Sequence, residues 1–276
     1  RTVSANSRVD LHTHSHFSDG EHSPGEIARL ASQADLHAAA LTDHDCLDGI
    51  SAFLENASGF EAVAGVEISA RQDHADVHML GYFISPEDGG LRERLEGLAQ
   101  ARERRADGMI SRLRDLDIHV TEDLLREITS QGTVGRPHLA QALIRLGAAD
   151  SVEDAFRRYL RPGTPGYVPK PGPSPETAIR WIHEAGGVAV LAHPGLLRRR
   201  SWVADMARAG LDGVEVWHPK HSAGQREALL EQARVLDLVP SGGSDYHGVS
   251  IGDAQVGQEP VPVEILDRLR ERRPRP

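Results

Sequence analysis

Residues Val9 to Gly20, VDLHTHSHFSDG, crowd three histidines and two aspartates into one short stretch. Neutral imidazole is the commonest metal ligand near pH 7, and side chains at i and i+2 of a β-strand point to one face. His12 and His14 can therefore grip one ion. Polar residues at a strand end would give the same spelling, so the pair alone decides nothing. Farther along, ligand-type residues stand at or near the end of each apolar run: Asp43 and His44, Glu67, His78, His193, Glu215 and His218, Asp245 and His247. Imidazole nitrogen and carboxylate oxygen without thiolate suit Mn²⁺, Fe²⁺ or Zn²⁺, and there are too many donors for one ion. Clustered divalent cations turn water into hydroxide near neutral pH and neutralise phosphoryl oxygens under attack. Phosphate-ester hydrolysis is the chemistry this set predicts, with a metal-bound hydroxide as the attacking group. No G-x-x-x-x-G-K-[ST] loop and no G-x-G-x-x-G supplies a competing one. His16, His22 and His74 fall outside the pattern and read as exposed loop residues. His218 and His221 fit either buried strand-end positions or a substrate contact, and Glu215 fits a carboxylate that supports a ligand from behind.

Such donors converge only if strands carry them to one rim. Short apolar runs predict strands at Val9–His14, Ala38–Thr42, Ala62–Glu67, Val77–Phe83, Val188–His193, Gly213–Trp217 and Leu238–Gly242, most followed by amphipathic helical patterns. Strand followed by helix, repeated, implies parallel pairing in an α/β barrel or doubly wound sheet. In a barrel the carboxyl ends of the strands line the catalytic rim. Ser23-Pro24-Gly25-Glu26 and Ser174-Pro175-Glu176-Thr177 carry a cap serine followed by proline and so mark helix starts. Between the fourth and fifth strands the alternation stops for about 100 residues, far beyond an ordinary connection. Residues 91–165 carry helical signals and read as an inserted helical lid, between barrel portions at 1–90 and 166–276. Pro-Gly-rich residues 162–173 form a stiff return, and Arg270 to Pro276 reads as a frayed tail.

Composition bounds the alternatives. A chain of 276 residues with 39% hydrophobic and 26% charged residues is ordinary for a globular protein. No apolar run approaches the roughly 20 residues of a membrane span, and no signal peptide is evident. The single cysteine, Cys46, rules out an intrachain disulfide framework, and a reducing cytoplasm is the expected compartment. A formal net charge of -10 argues against binding duplex DNA through its phosphates.

Four ordered motifs, Asp10-Leu11-His12-Thr13-His14, Thr42-Asp43-His44, Ala192-His193-Pro194 and Gly243-Ser244-Asp245-Tyr246-His247, resemble those of the PHP (polymerase and histidinol phosphatase) family. The resemblance implies a distorted seven-stranded (β/α) barrel with three divalent metal ions, Mn²⁺ first and Fe²⁺ or Zn²⁺ as alternatives. It assigns His12, His14, Glu67 and Asp245 to one ion, and Glu67, His78 and His193 to a second. Asp19, His44 and His247 surround a third, where Asp19 and His44 also touch substrate. Asp43 would orient an imidazole or cap the following helix.

The insertion resembles that of a PHP subgroup carrying an R-x-R-R stretch (Arg102, Arg104, Arg105), G-R-P-H (Gly135-Arg136-Pro137-His138) and Y-V-x-K (Tyr167 to Lys170). Arg102 and Arg105 share a helix face, and the free amides at the helix start after Gly135 favour an anion. The subgroup implies removal of the 3′-phosphate from nucleoside 3′,5′-bisphosphates. Arg102, Arg104, Arg105, Gly135, Arg136 and Lys170 would hold the 5′-phosphate. Trimming of short RNA from its 5′ end and histidinol-phosphate hydrolysis are the enzymatic alternatives, and a non-catalytic metal-binding module is the remaining one.

Overall fold

The computed structural model describes residues 8–73, 75–128, 134–197, 199, 201–250 and 252–274; His74 and the last two residues of the expected tail lie outside them. In chain order the first elements are β1 Arg8–Asp10, α1 Pro24–Gln33, β2 Ala38–Leu41, α2 Ile50–Asn56, β3 Glu61–Gln72, β4 Ala75–Tyr82 and α3 Gly89–Arg114. There follow α4 Glu122–Ile128, α5 Arg136–Arg145, α6 Val152–Ala155 running into a π-helical turn Phe156–Leu160, α7 Pro175–Glu184 and β5 Val188–Leu191. The chain ends with α8 Trp202–Arg208, β6 Gly213–Trp217, α9 Ala223–Val235, β7 Val239–Gly242, β8 Val261–Pro262 and α10 Glu264–Glu271. Two compact units result: residues up to Glu96 together with those from Pro173 onward, and Gly97–Gly172.

In the first unit eight strands curl into a nearly closed barrel in the order β7-β6-β5-β4-β3-β2-β1-β8. Alternation along β2 shows how its faces divide. Ala38 and Ala40 join Val9, Val63, Val188, Val190 and Val239 inside the barrel, where Ile265, Leu266 and Leu269 of α10 also pack. Ala39 and Leu41 point outward under Ile27, Ala28 and Ala31 of α1 and Phe53 of α2. That two-residue period is what a strand covered on both faces requires. Ser23 caps α1 in a reciprocal capping box with Glu26, and the Ser174 hydroxyl accepts from the Thr177 amide at α7, as their spelling predicts.

Four expectations need correction. Pairing is not all parallel: β3 and β4 form an antiparallel hairpin from Gly65↔Tyr82 to Gln72↔Ala75, and β4 and β5 are antiparallel as well. The hairpin turns the chain round, so the early half of β4, with His78, meets the rim reached by the ends of the parallel strands. β8 raises the count from seven to eight; two residues pairing antiparallel with β1 are too short to leave a periodic signal. Nor does the first strand continue through His14. Its ladder stops at Asp10, and beyond it the chain pairs with the last loop: the His14 amide donates to Tyr246 O at 2.9 Å and the Asp245 amide to His12 O at 2.9 Å. The tail is not frayed at its start, since Arg270 lies in α10 and bonds Asp267 at 2.6 Å.

The second unit has its own core. Met109 and Leu113 from the end of α3 pack with Leu125 of α4, Leu139 and Leu143 of α5, and Leu160 of the π-helical turn. Among the described residues no helix is long and apolar enough to cross a membrane.

Where the last loop crosses the first, only glycine fits. A Cβ on Gly243 would stand 2.4 Å from the His12 amide nitrogen and 2.5 Å from its Cβ. Both obstacles are immobile parts of a strand end, so Gly243→Ala must push His12 aside. Overpacking of this kind costs about 1–3 kcal/mol, and the melting temperature of Gly243→Ala should fall by several degrees in differential scanning calorimetry. An unchanged melting temperature would show that the crossing is loose.

Candidate metal centre

Glu67 is the point on which the rim converges. Its side chain is 1% exposed, and its two oxygens divide five imidazoles between them. Oε2 lies 3.3 Å from His12 Nε2, 3.3 Å from His14 Nε2 and 3.1 Å from His44 Nδ1. Oε1 lies 3.0 Å from His78 Nδ1 and 3.1 Å from His193 Nε2. Asp245 Oδ1 stands 3.4 Å from both His12 Nε2 and His14 Nε2. Farther out, Asp19 lies 3.2 Å from His247 Nε2, 3.7 Å from His44 Nε2 and 3.9 Å from His14 Nδ1. All nine residues assigned to metals thus meet in one network.

The donor set fits divalent cations. His12 Nε2, both ring nitrogens of His14, His44 Nδ1 and Glu67 Oε2 are buried and make no hydrogen bond among the described residues. Buried polar atoms without partners are costly, and these face one another rather than solvent. Ligand atoms sharing an ion at about 2.1 Å stand roughly 3.0–3.5 Å apart, the spacing seen here. Three groups have the proximity to hold an ion: His12, His14 and Asp245; His44, Glu67 and His78; and His14, Asp19, His44 and His247. His14 and His44 each serve two groups, which the family grouping did not imply, and His193 enters through Glu67 Oε1.

Electrostatics point the same way. Burial would push the Glu67 carboxyl up, yet His44, His12 and His78 hold it well below its usual range. Burial pushes His44 down to about 4 despite the Glu67 carboxylate. For His14 burial is overcome by Asp245 and Glu67, which hold it up at about 9. A metal-free pocket thus keeps a proton where a cation belongs, and metal binding must displace it.

The supporting contacts explain how the rim is held. Among the described residues Asp43 bonds no imidazole and caps no helix: its carboxylate accepts from the Ser15 amide and hydroxyl and from the Ser18 hydroxyl, each at 2.7 Å, pinning the loop between His14 and Asp19. Asp10, which carried no assigned role, accepts from the amides of His12, Ser244 and Gly257; its place beside the HxH pair is its signal in the sequence. His193 and Asp245 both sit at positive φ, 30° and 51°, and for non-glycine residues such backbone is found where structure over-determines it. Glu215 contacts His12 Nδ1 at 2.9 Å and accepts the His193 amide at 2.6 Å. His218 and His221 are buried, and His221 is structural, held between Val216 O and the Gly195 amide. His16 is exposed and His22 stays outside the cluster. Gly248-Val249-Ser250-Ile251-Gly252 spells a G-x-S-x-G elbow, but Ser250 lies in a turn after His247, not between a strand and a helix.

Beside the cluster, within the barrel unit, lies a cavity of about 490 Å³ lined by Asp19, His218, Lys220, Asp245, His247 and Gln258 among others. Asp19 is 57% exposed, so one candidate ligand is open to an incoming molecule. Lys220, which sequence reasoning passed over, places Nζ 4.0 Å from Asp245 Oδ2.

In the helical unit, Arg105 donates Nε to Val168 O at 2.8 Å, tying α3 to the segment that carries Lys170. Arg104 is exposed, Arg102 is half-buried, and the Arg136 guanidinium lies 5.6 Å from the Phe156 ring centre. The Gly135 amide is not free for an anion, because it donates to His138 Nδ1 at 3.1 Å; Pro137 has no amide hydrogen to offer.

A PHP domain model matches residues 10–161. A 3′,5′-nucleoside bisphosphate phosphatase of Chromobacterium violaceum is 35% identical over 259 residues, covering 90% of both chains. The 5′-3′ exoribonuclease Rnm of Escherichia coli is 34% identical over 247 residues, 86% of this chain and 84% of that one. A solved structure from Bifidobacterium adolescentis, provisionally described as a metal-dependent phosphoesterase, superposes with a TM-score of 0.77 at 32% identity, covering 98% of this chain and 97% of its own.

Metal should stabilise the folded chain. Divalent cation at about 1,000 times its Kd adds about 4 kcal/mol, or roughly 10 °C in melting temperature for a chain of this size. Chelator treatment followed by Mn²⁺ should show that rise. Glu67→Gln, which removes the charge at constant shape, should lose both the rise and most of the bound metal measured by elemental analysis. Retention of wild-type metal content would remove Glu67 from the centre.

Proposed function

The chain belongs to the PHP family of metal-dependent phosphoesterases, and on that premise we propose that it removes the 3′-phosphate from nucleoside 3′,5′-bisphosphates, releasing phosphate and a nucleoside 5′-monophosphate. The observation that carries this reading is the Glu67-centred cluster opening beside a cavity of nucleotide size, taken with the 35% identity to a 3′,5′-nucleoside bisphosphate phosphatase. Three divalent ions, Mn²⁺ first and Fe²⁺ or Zn²⁺ as alternatives, would be held by His12, His14, Asp19, His44, Glu67, His78, His193, Asp245 and His247. When bound, they supply activation of water near neutral pH and charge neutralisation of the phosphoryl oxygens.

The protein's own groups then bind and orient. Asp19, the most exposed of the ligands, and His44 would meet the substrate, and Lys220 adds a positive charge in the cavity that Asp19 lines. The second phosphate falls to the helical unit. Arg102, Arg104 and Arg136, with Lys170, are its binding groups, since guanidinium matches phosphate with two parallel hydrogen bonds. Arg105, spent in part on Val168 O, and Gly135, whose amide serves His138, act by shaping this site. A second anion site on the helical unit would favour a substrate with two phosphates over histidinol phosphate, which has one.

A second reading has a specific support, the 34% identity to a 5′-3′ exoribonuclease: the helical unit would take the 5′-phosphate of a short RNA while the barrel cuts a diester. The net charge of -10 disfavours long nucleic acid but not short pieces.

With Mn²⁺ present, kcat/KM for adenosine 3′,5′-bisphosphate should exceed that for 3′-AMP at least about tenfold, the worth of one charge-assisted phosphate contact. Arg136→Ala should shrink that ratio by raising KM for the bisphosphate alone. Equal efficiency on both substrates sinks the two-phosphate reading, and a clear preference for short 5′-phosphorylated RNA in the same screen selects the exoribonuclease.

A further inference from the structure

Glu215 and His218 flank the end of β6, and neither belongs to any of the three candidate metal groups. Both are fully buried, and each contacts a residue that belongs to those groups. The ladder between β6 and β7 slips between Glu215 and Trp217, a bulge of the kind that re-aims side chains. Glu215, just before it, faces His12, and His218, just after it, turns toward Asp245.

Glu215 meets two donors with its two oxygens. Oε1 lies 2.9 Å from His12 Nδ1, and Oε2 accepts the His193 amide at 2.6 Å. A carboxylate can only accept, so the proton of the His12 ring sits on Nδ1 and the Nε2 lone pair is left facing Glu67 and Asp245. The second bond holds the backbone of His193 at φ 30°, ψ 52°, a left-handed conformation that a histidine leaves unless something retains it.

His218 works by the same logic in reverse. The Lys220 amide donates to its Nδ1 at 3.1 Å, so its proton sits on Nε2, 3.2 Å from Asp245 Oδ2. That bond occupies the outer oxygen of Asp245 and leaves Oδ1 aimed at His12 and His14. Arg226 fixes the turn by donating to His218 O at 3.0 Å and pairing with Glu259 at 2.9 Å.

We propose that Glu215 and His218 are positioning residues of the metal centre: Glu215 sets the His12 tautomer and the His193 backbone, and His218 sets which oxygen of Asp245 faces the ions. The assignment rests on the cluster being a metal centre but not on the identity of the substrate. It accounts for a buried carboxylate and a buried imidazole that belong to none of the candidate metal groups. Glutamine cannot replace Glu215 without conflict. If its oxygen accepts from His12, its amide faces the donor N–H of His193; if it flips, it donates to His12 Nδ1 and forces the ring proton onto Nε2, the ligand atom.

The test reads metal binding, not turnover. Metal-stripped wild type, Glu215→Gln, His218→Leu and His218→Gln would be titrated with Mn²⁺ by calorimetry, and ring tautomers read by ¹⁵N NMR on the diamagnetic Zn²⁺ forms. Loss of a partner that orients a ligand typically weakens metal binding 10–100-fold. Glu215→Gln and His218→Leu should show that loss, whereas His218→Gln, which still offers an N–H to Asp245, should recover most of it. The His12 Nδ1–H signal should persist in wild type and change in Glu215→Gln. Wild-type Mn²⁺ affinity in Glu215→Gln with an unchanged His12 tautomer overturns the Glu215 role, even if its melting temperature drops. Equal affinity in the two His218 variants overturns the other, and that arm stands if Glu215→Gln fails to fold. A wild type that takes up no Mn²⁺ or Zn²⁺ overturns the proposal together with the centre, while normal metal binding without bisphosphate hydrolysis overturns the substrate reading alone.

Discussion

The constraint on which the barrel depends is the burial of the Glu67 carboxylate. An ionised carboxylate taken out of water costs several kcal/mol unless charge and hydrogen bonds repay it. At Glu67 the compensation comes from five imidazoles on four separate stretches of chain: His12 and His14 after β1, His44 after β2, His78 in β4 and His193 after β5. Imidazoles alone are an incomplete answer, because a neutral ring offers one donor and one acceptor, and several ring nitrogens here face one another and the carboxylates of Glu67, Asp245 and Asp19 without a hydrogen bond among the described residues. Divalent cations satisfy the carboxylate and the lone pairs at once. The cost of burying Glu67 is therefore the reason the rim selects a cation rather than tolerating it.

Geometry follows from that demand. An all-parallel barrel would deliver every donor from a strand's carboxyl end, but a hub carboxylate needs ligands from several directions. β3 runs well past Glu67 before turning back, and the antiparallel return puts His78 across from Ser69, two residues beyond the hub. The remaining directions come from backbone bent where regular strands cannot go. His193 and Asp245 hold positive φ, and the His12–His14 segment leaves the ladder at Asp10 to pair with the loop after β7. Asp10 and Asp43, two buried carboxylates outside the cluster, receive amides and hydroxyls that keep these departures in place. Strain in the rim is thus met by hydrogen bonds one layer behind it.

How much of this the sequence disclosed depended on periodicity. His12 and His14 were legible because two residues apart in extended chain means one face, and that held although the segment is not a regular strand. The α1 and α7 starts were legible because a cap serine followed by proline acts within one turn. Ligand types at strand ends were legible one by one, but how they share ions was not: His14 and His44 each serving two groups is a fact of three-dimensional distance. The reversal of β4 was missed because strand followed by helix elsewhere implies parallel pairing and only two residues part β4 from β3, and β8 because two residues carry no period. The roles of Asp43 and Asp10 were hidden because their partners are backbone amides and serine hydroxyls, which every sequence has in abundance. The Gly135 amide looked free because helix starts leave amides free in general, and only the His138 ring, folded back on it, shows otherwise.

Charge ties the centre to its substrate. Three carboxylates against six neutral imidazoles give the candidate ligand set a charge of -3, and Asp253 lines the adjoining cavity as well. Even with a proton held on His14, a metal-free pocket stays negative and repels a phosphate ester carrying nearly two negative charges at pH 7. Two divalent cations bring the set to +1 and three to +3, so occupancy decides both whether an anion enters and how firmly its oxygens are held. In a protein of net charge -10, the loaded rim is then a local cationic site on an acidic molecule. Long-range repulsion acts most strongly on long polyanions, whereas a compact nucleotide with few charges is repelled weakly until it is within a Debye length of about 8 Å. The acidity that disfavours long polyanions therefore acts only weakly on small phosphorylated molecules.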